Sequence, residues 1–328
     1  MRLLDVHTLE LRTFYGDAIP QYAILSHNWL HDGEEVTFQQ IQHPEECRGI
    51  LGFRKVELLC DQAKKDGFAY AWIDTCCIDK ANSSELSEAI NSMFEWYRRS
   101  KVCYAYLGDI DYTTHSGDVV MGSRWWSRAW TLQELIAPRR VVFFDRNWVL
   151  IGTKRYRRIA KRITDVTGIP REVLRVPRFM FTKSIAQRMS WAAKRQATRA
   201  EDVAYSLLGI FDVHMPMQYG EGTRAFVRLQ SEILKSTNDL SLFAWSYLEE
   251  STVKEIFGSE KEFENHDIFG GFAESAYGMY APHPKCFERS GTLASCGQHA
   301  PSTAVTETNG AVYLELHLIP YTLISLRG

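Results

Sequence analysis

Tyr22-Ala23-Ile24-Leu25-Ser26-His27 is the stretch on which the fold turns. Four apolar residues run without a polar interruption and end on Ser-His. A strand with one wet face alternates, so an unbroken short run marks a strand buried on both faces, as in a parallel sheet covered by helices. After a polar loop, Val56, Leu59, Cys60 and Ala63 recur at helical spacing, and Gly67 follows as a C-cap. Tyr70-Ala71-Trp72-Ile73-Asp74 reads as the next strand. Asn82 with Glu85 three residues on predicts a capping box, opening a helix with the apolar face Leu86, Ile90, Met93, Phe94 and Tyr97. Val102 to Leu107 is a third strand and Val141 to Phe144 a fourth. Strand and helix in alternation predict an α/β core over residues 1–150, a doubly wound parallel sheet.

From 151 to 240 the pattern is helical and is expected to pack on that core. Cap signals stand at Ser184 with Gln187 and at Thr198 with Glu201, and apolar faces are formed by Ile185, Met189 and Ala192, by Val203, Leu207 and Leu208, and by Phe226, Leu229 and Ile233. Residues 241–328 are expected to be β-rich. Leu240 to Trp245 and Ala311 to Leu318 read as strands separated by Gly- and Ser-rich loops. The sequence stops at Gly328 soon after an apolar run, so a fragment of something longer is expected. Tyr219-Gly220-Glu221-Gly222 has only two glycines and no Lys-Ser/Thr, so it is read as a turn and not as a phosphate loop.

The 328 residues are 45% hydrophobic and 24% charged, enough for a proper core. A net charge of -2 and a pI near 6.6 give no overall pull toward nucleic acid or anionic lipid. The charge is uneven: residues 139–199 hold seventeen Lys or Arg against three acids, and 201–290 hold fifteen acids against seven basic residues. A basic helical face beside an acidic one accounts for this without a nucleic-acid groove. Seven cysteines, odd in number and without C-x-x-C spacing, argue against a disulfide framework and a zinc site. No signal peptide and no apolar stretch near the ~20 residues of a membrane span are seen. A reducing, cytoplasmic location is expected.

Ser123-Arg124-Trp125-Trp126-Ser127-Arg128-Ala129-Trp130-Thr131-Leu132-Gln133-Glu134-Leu135-Ile136-Ala137-Pro138 packs three tryptophans, two arginines and one acid into sixteen residues. If 129–136 is helical, Trp130 and Glu134 share a face. The pair is then either a structural staple, with Glu134 tied to Arg124 or Arg128, or the floor of a pocket for a flat ring and a sugar hydroxyl. Other patterns compete. Cys76 or Cys77 with His27 as base would suit acyl transfer, although vicinal cysteines at an apolar strand end are more often inert. His27, His31 and Asp32 have helical metal spacing in what reads as a loop, so no metal is expected. Asp74 and Asp79 form either an acid pair or loop-ordering turns.

The ordered series Tyr22 to Trp29, Trp72-Ile73-Asp74-Thr75-Cys76-Cys77-Ile78-Asp79-Lys80, Glu88 to Tyr97 and Arg128 to Pro138 resembles the fungal heterokaryon incompatibility (HET) domain. The resemblance continues through Ala186 to Ala192, Thr198 to Tyr205 and Tyr219 to Gly222, and covers roughly residues 1–250. It implies non-self recognition and programmed cell death. The first strand runs on as Ser-His-Asn-Trp, where the family more often has Thr before Trp, and no sensor or repeat module is recognisable after residue 250. More distantly, a strand ending in Ser-His, a second ending in Asp and a helix carrying Trp four residues before Glu are similar to TIR domains. That similarity implies a TIR-like, flavodoxin-like sheet and, for the enzymatic members, cleavage of NAD.

Carried onto this sequence, Glu134 takes the catalytic position. Ser26, His27, Asp74, Cys76, Trp125 and Trp130 are the expected substrate contacts, because open α/β sheets bind ligands beyond the carboxyl ends of their strands. NAD or a related nucleotide would be substrate, with no resident cofactor. The other reading is a death-signalling adaptor that acts by self-association or by binding a protein partner.

Overall fold

The computed structural model describes residues 1–31, 33–113, 119–246 and 279–293, the short segments 305–308 and 311–314, and the single positions 248 and 252. The chain opens with strands β1 (Arg2–Asp5) and β2 (Leu11–Thr13), followed by β3 (Tyr22–His27), α1 (Phe53–Lys65), β4 (Tyr70–Trp72), α2 (Asp74–Cys77), α3 (Ser83–Arg99), β5 (Val102–Leu107), α4 (Thr131–Ile136), β6 (Val141–Asp145) and β7 (Leu150–Thr153). All seven strands join one sheet in the order β2-β1-β4-β3-β5-β6-β7. The four central strands are mutually parallel, while β1, β2 and β7 extend the sheet antiparallel at its edges.

Counted in chain order, the parallel strands lie as 2-1-3-4, a flavodoxin-like order. The chain leaves β3 toward β4 on one side and then crosses back to β5 on the other. This reversal lies at the carboxyl end of β3, where Ser26 and His27 pair with Ala105 and Tyr106 of β5. All six residues of β3 are buried, as the unbroken apolar run requires.

Local signals explain the helix ends. The Asn82 side chain accepts from the Ser84 and Glu85 amides at 3.1 and 3.2 Å, which caps α3. Only half of the expected box forms: Glu85 accepts the Asp79 amide and pairs with Arg2 at 2.7 Å. Gly67, at φ +80°, closes α1, and the Phe68 amide returns to the Ala63 carbonyl.

The helical region comprises α5 (Arg157–Thr167), α6 (Arg171–Arg175), α7 (Ile185–Ser190), α8 (Asp202–Tyr205), α9 (Leu208–Phe211) and α10 (Arg224–Ser236). Ser184 caps α7 by accepting the Gln187 amide, as its sequence predicts. Thr198 caps nothing. Glu201 instead holds the turn at Tyr219–Gly222 by accepting the amides of Gly220 and Gly222. Leu240 to Trp245 is not a strand either. Asp239 accepts the Ser241 amide with one oxygen and the Ile185 amide with the other, which winds Leu240–Phe243 into a 3-10 turn under the helices. β8 (Val305–Thr308) and β9 (Ala311–Leu314) pair as an antiparallel hairpin, and the rest of the expected strand, 315–318, lies outside the described residues. Among the described residues no helix is long and apolar enough to cross a membrane.

Candidate active site

Successive residues of a strand point to opposite faces, so Ser26 and His27 serve different networks at the end of β3. Ser26 is fully buried, and its hydroxyl donates to Glu134 Oε2 at 2.5 Å while accepting from the Trp125 indole at 2.8 Å. Tyr97, from α3, also hydrogen-bonds Glu134 and donates to the Leu25 carbonyl. Burial pushes the Glu134 carboxyl up to about 8; the Asp74 charge adds to this, while the Ser26 hydrogen bond and the Arg128 charge oppose it. At neutral pH the acid is therefore mostly protonated.

His27 faces α1. Its Nε2 lies 3.0 Å from Asp74 Oδ1, and its Nδ1 lies 3.1 Å from the Lys55 ammonium, which also pairs with Glu35. An ammonium can only donate, so Nδ1 is the acceptor and Nε2–H donates to Asp74. The other Asp74 oxygen accepts from the Trp29 indole at 2.8 Å. Burial alone would raise the Asp74 carboxyl, yet the His27 hydrogen bond and the Lys80 charge outweigh it and hold it well below the usual carboxylate range. One acid is thus pushed up and its neighbour down, the pattern that separates a proton-carrying group from a permanently charged one.

The Trp-rich stretch is fixed at both ends. Ser123 donates to Asp109 at 2.6 Å and caps the 3-10 turn Arg124–Ser127. Beyond α4, the buried Lys154 ammonium donates to the carbonyls of Leu135, Ile136 and Pro138 at 2.7, 3.2 and 2.5 Å, and burial lowers its pKa to about 7. From the helical region, Arg195 donates to the Arg128 carbonyl and the Thr131 hydroxyl, and residues 127–129 pair with Gln196 through two backbone hydrogen bonds. The helical region therefore braces the helix that carries Glu134.

The structure brings together Ser26, Trp125 and Glu134 on one side and His27 and Asp74 on the other. Trp130 stands at the N-cap of α4 with helical φ and ψ, one turn before Glu134 as the spacing predicts, and its indole pairs with Asp202. Cys76 is wholly buried and hydrogen-bonded to Cys77, which together with burial keeps its thiol well above the ordinary range. His27 spends both ring nitrogens elsewhere, so no thiolate–imidazole pair forms. Of the two arginines read as possible partners of Glu134, Arg124 sits against Asp109 at 3.7 Å, while the Arg128 charge acts on Glu134. Asp79 accepts from Gln39 and the Ala81 amide, away from Asp74. Asp32 lies outside the described residues.

Lys55 and Arg195 escaped the sequence reading, and Tyr97 was read only as part of the apolar face of its helix. Lys55 had a signal: it stands four residues before Leu59 and eight before Ala63, a charge on an apolar helix face. Arg195 had none. A large open groove of 940 Å³ lies elsewhere, between the β1–β2 hairpin and α1, and is lined by residues such as Leu9, Leu11, Phe38, Ile41 and Lys64. None of Ser26, His27, Asp74, Trp125 and Glu134 lines it.

Residues 22–122 match the family model of the heterokaryon incompatibility protein (HET), and residues 224–321 match a domain of unknown function, DUF8212. The chain is 47% identical over 234 residues to the vegetative incompatibility protein HET-E-1 of Podospora anserina, an alignment that takes in 68% of this chain and 17% of that protein. The chain therefore spans less than a fifth of the length of this relative. No solved structure matches it. The strand carrying Ser26 and His27, the turn carrying Asp74 and the helix carrying Tyr97 all fall inside the matched HET region, and the chain is a HET-domain protein.

Proposed function

We propose that this chain is the cell-death effector part of a vegetative incompatibility protein, and that it acts by hydrolysing NAD or a related nucleotide at Glu134. The observation that supports this most is the perturbed, buried Glu134 at the strand-order reversal, held by Ser26 beside the ionised Asp74. In NAD the nicotinamide ring carries a positive charge. Its arrival beside Glu134 favours the ionised carboxylate and drives off the proton. As the bond from C1′ to the ring nitrogen breaks, its electron pair leaves on the neutral pyridine and positive charge passes to the ribose. A carboxylate fixed there stabilises that charge more than it stabilises the ground state. Water then bonds to C1′ and gives its proton to Glu134, yielding ADP-ribose and nicotinamide.

A second reading has its own support. Glu134 is only 9% exposed, and the large described groove is remote from it, which suits an adaptor that acts by self-association or by binding a protein partner. Nicotinamide release by purified protein, followed over a range of protein concentrations, separates the two. Turnover that rises with concentration and disappears in Glu134→Gln is expected. No turnover at high concentration, or equal turnover in the variant, leaves the adaptor reading.

A further inference from the structure

No tryptophan of the Trp-rich stretch is as exposed as the one that follows β3. Trp125 is fully buried, Trp126 is 6% exposed, and Trp130 is engaged with Asp202. Trp29, two residues past the end of β3, is 43% exposed, and no other tryptophan among the described residues is exposed to that degree. It is also held in place. Its indole N–H is spent on Asp74 at 2.8 Å, and the Lys80 ammonium sits 3.6 Å from its ring centre. A cation over one face and a hydrogen bond at the edge fix the ring plane, and the face away from Lys80 is the one a ligand can stack on.

Polar atoms needing partners surround the same spot. Both side-chain atoms of Asn28, Oε2 of Glu35 and Oγ1 of Thr75 are buried without a hydrogen-bond partner, and these residues flank His27, Lys55 and Asp74. Thr75 is only 4% exposed. Buried polar groups are normally satisfied, so a cluster of unpaired donors and acceptors beside an anchored, exposed ring has the composition of a site for a flat aromatic heterocycle joined to a hydroxylated sugar.

We propose that Trp29 is the stacking platform of the strand-end site, receiving an aromatic ring of a nucleotide on its open face while the Asn28, Glu35 and Thr75 side chains meet the attached polar groups. This rests on the nucleotide reading of the site and supplies a ring-binding residue for it. Lys80 acts through Trp29, as the group that holds the indole at its angle.

The test uses carbocyclic NAD, which cannot be cleaved at the glycosidic position, with binding followed calorimetrically and by tryptophan fluorescence. Wild type binds, Trp29→Ala loses roughly tenfold or more in affinity, as base–aromatic stacking predicts, and Trp29→Phe stays within about threefold because it keeps an aromatic face. Ligand quenches part of the wild-type emission, and that part is missing in Trp29→Phe although binding persists. This second readout stands even where Trp29→Ala folds poorly. ADP-ribose and nicotinamide mononucleotide, titrated separately, identify the stacked ring as the one whose binding Trp29→Ala weakens. Binding by wild type with equal affinity in Trp29→Ala overturns the platform, and so does Trp29→Phe losing as much as Trp29→Ala, which would make the N–H to Asp74 the determinant. Absence of binding by wild type overturns the nucleotide reading itself and the platform with it.

Discussion

Glu134→Gln removes a titration and little else, since glutamine keeps the shape and an oxygen for the Ser26 hydroxyl. Burial raises the Glu134 carboxyl from 4.5 to about 8. Between those values the folded protein therefore binds more protons than the unfolded chain. Stability falls as pH rises wherever the folded state holds the extra proton, so the wild type loses stability from about pH 4.5 to about pH 8. At about 1.36 kcal/mol per pKa unit the full shift sets an upper bound of about 5 kcal/mol. Asp74 moves the other way but titrates below this window, so it cancels when the two proteins are compared. Urea unfolding of both proteins at pH 5, 6, 7, 8 and 9 gives the difference curve. Near-equal stability at pH 5 and a variant more stable by several kcal/mol at pH 9 are expected. Parallel profiles, or an advantage that shrinks with pH, would refute the assignment of Glu134 as a buried, proton-holding acid, whether or not the protein is an enzyme.

Ser26→Ala leaves the Trp125 N–H and Glu134 Oε2 without their shared partner in a buried place, at a cost of about 1–3 kcal/mol in urea unfolding. Because the Ser26 hydrogen bond lowers the Glu134 pKa, the same variant extends the upper end of the pH-dependent loss of stability to higher pH, and an unmoved upper end counts against the contact. Lys154→Met removes the ammonium that satisfies three carbonyls beyond α4. The lysine's folded pKa is lowered to about 7 from 10.5, so the folded state holds fewer protons than the unfolded chain between those values and wild-type stability rises with pH there. The stability advantage of wild type over Lys154→Met therefore grows from pH 7 to pH 10, and a flat or shrinking difference contradicts the burial of a strained charge.

The parts of this fold carried by short-range pattern were legible. The run Tyr22–His27 is a strand at those bounds, Asn82 caps α3, and Gly67 closes α1. The misjudged segments are those where a distant group outweighs local preference. Leu240–Phe243 has the apolar composition of a strand, but Asp239 ties it to the amide of Ile185, 54 residues away in sequence. Trp130 keeps helical backbone one turn before Glu134, as their spacing requires, while its indole finds a partner outside the cluster in Asp202.

Read alone, the chain disclosed its alternation of strands and helices, because these rest on short apolar runs, the 3.6-residue helical period and caps within a few positions, and its HET motifs were legible as a resemblance. It also determined which acid to examine. What that acid meets depends on neighbours brought in from elsewhere in the chain. Ser26 and Glu134 are 108 residues apart, and they touch because the strand order reverses beside β3. The same reversal places Asp74 close enough to raise the Glu134 carboxyl further, and the alternation of β3 sends His27 to the opposite face toward Lys55. Burial, pairing and charge depend on which strands become neighbours, and no local period in the chain encodes that order.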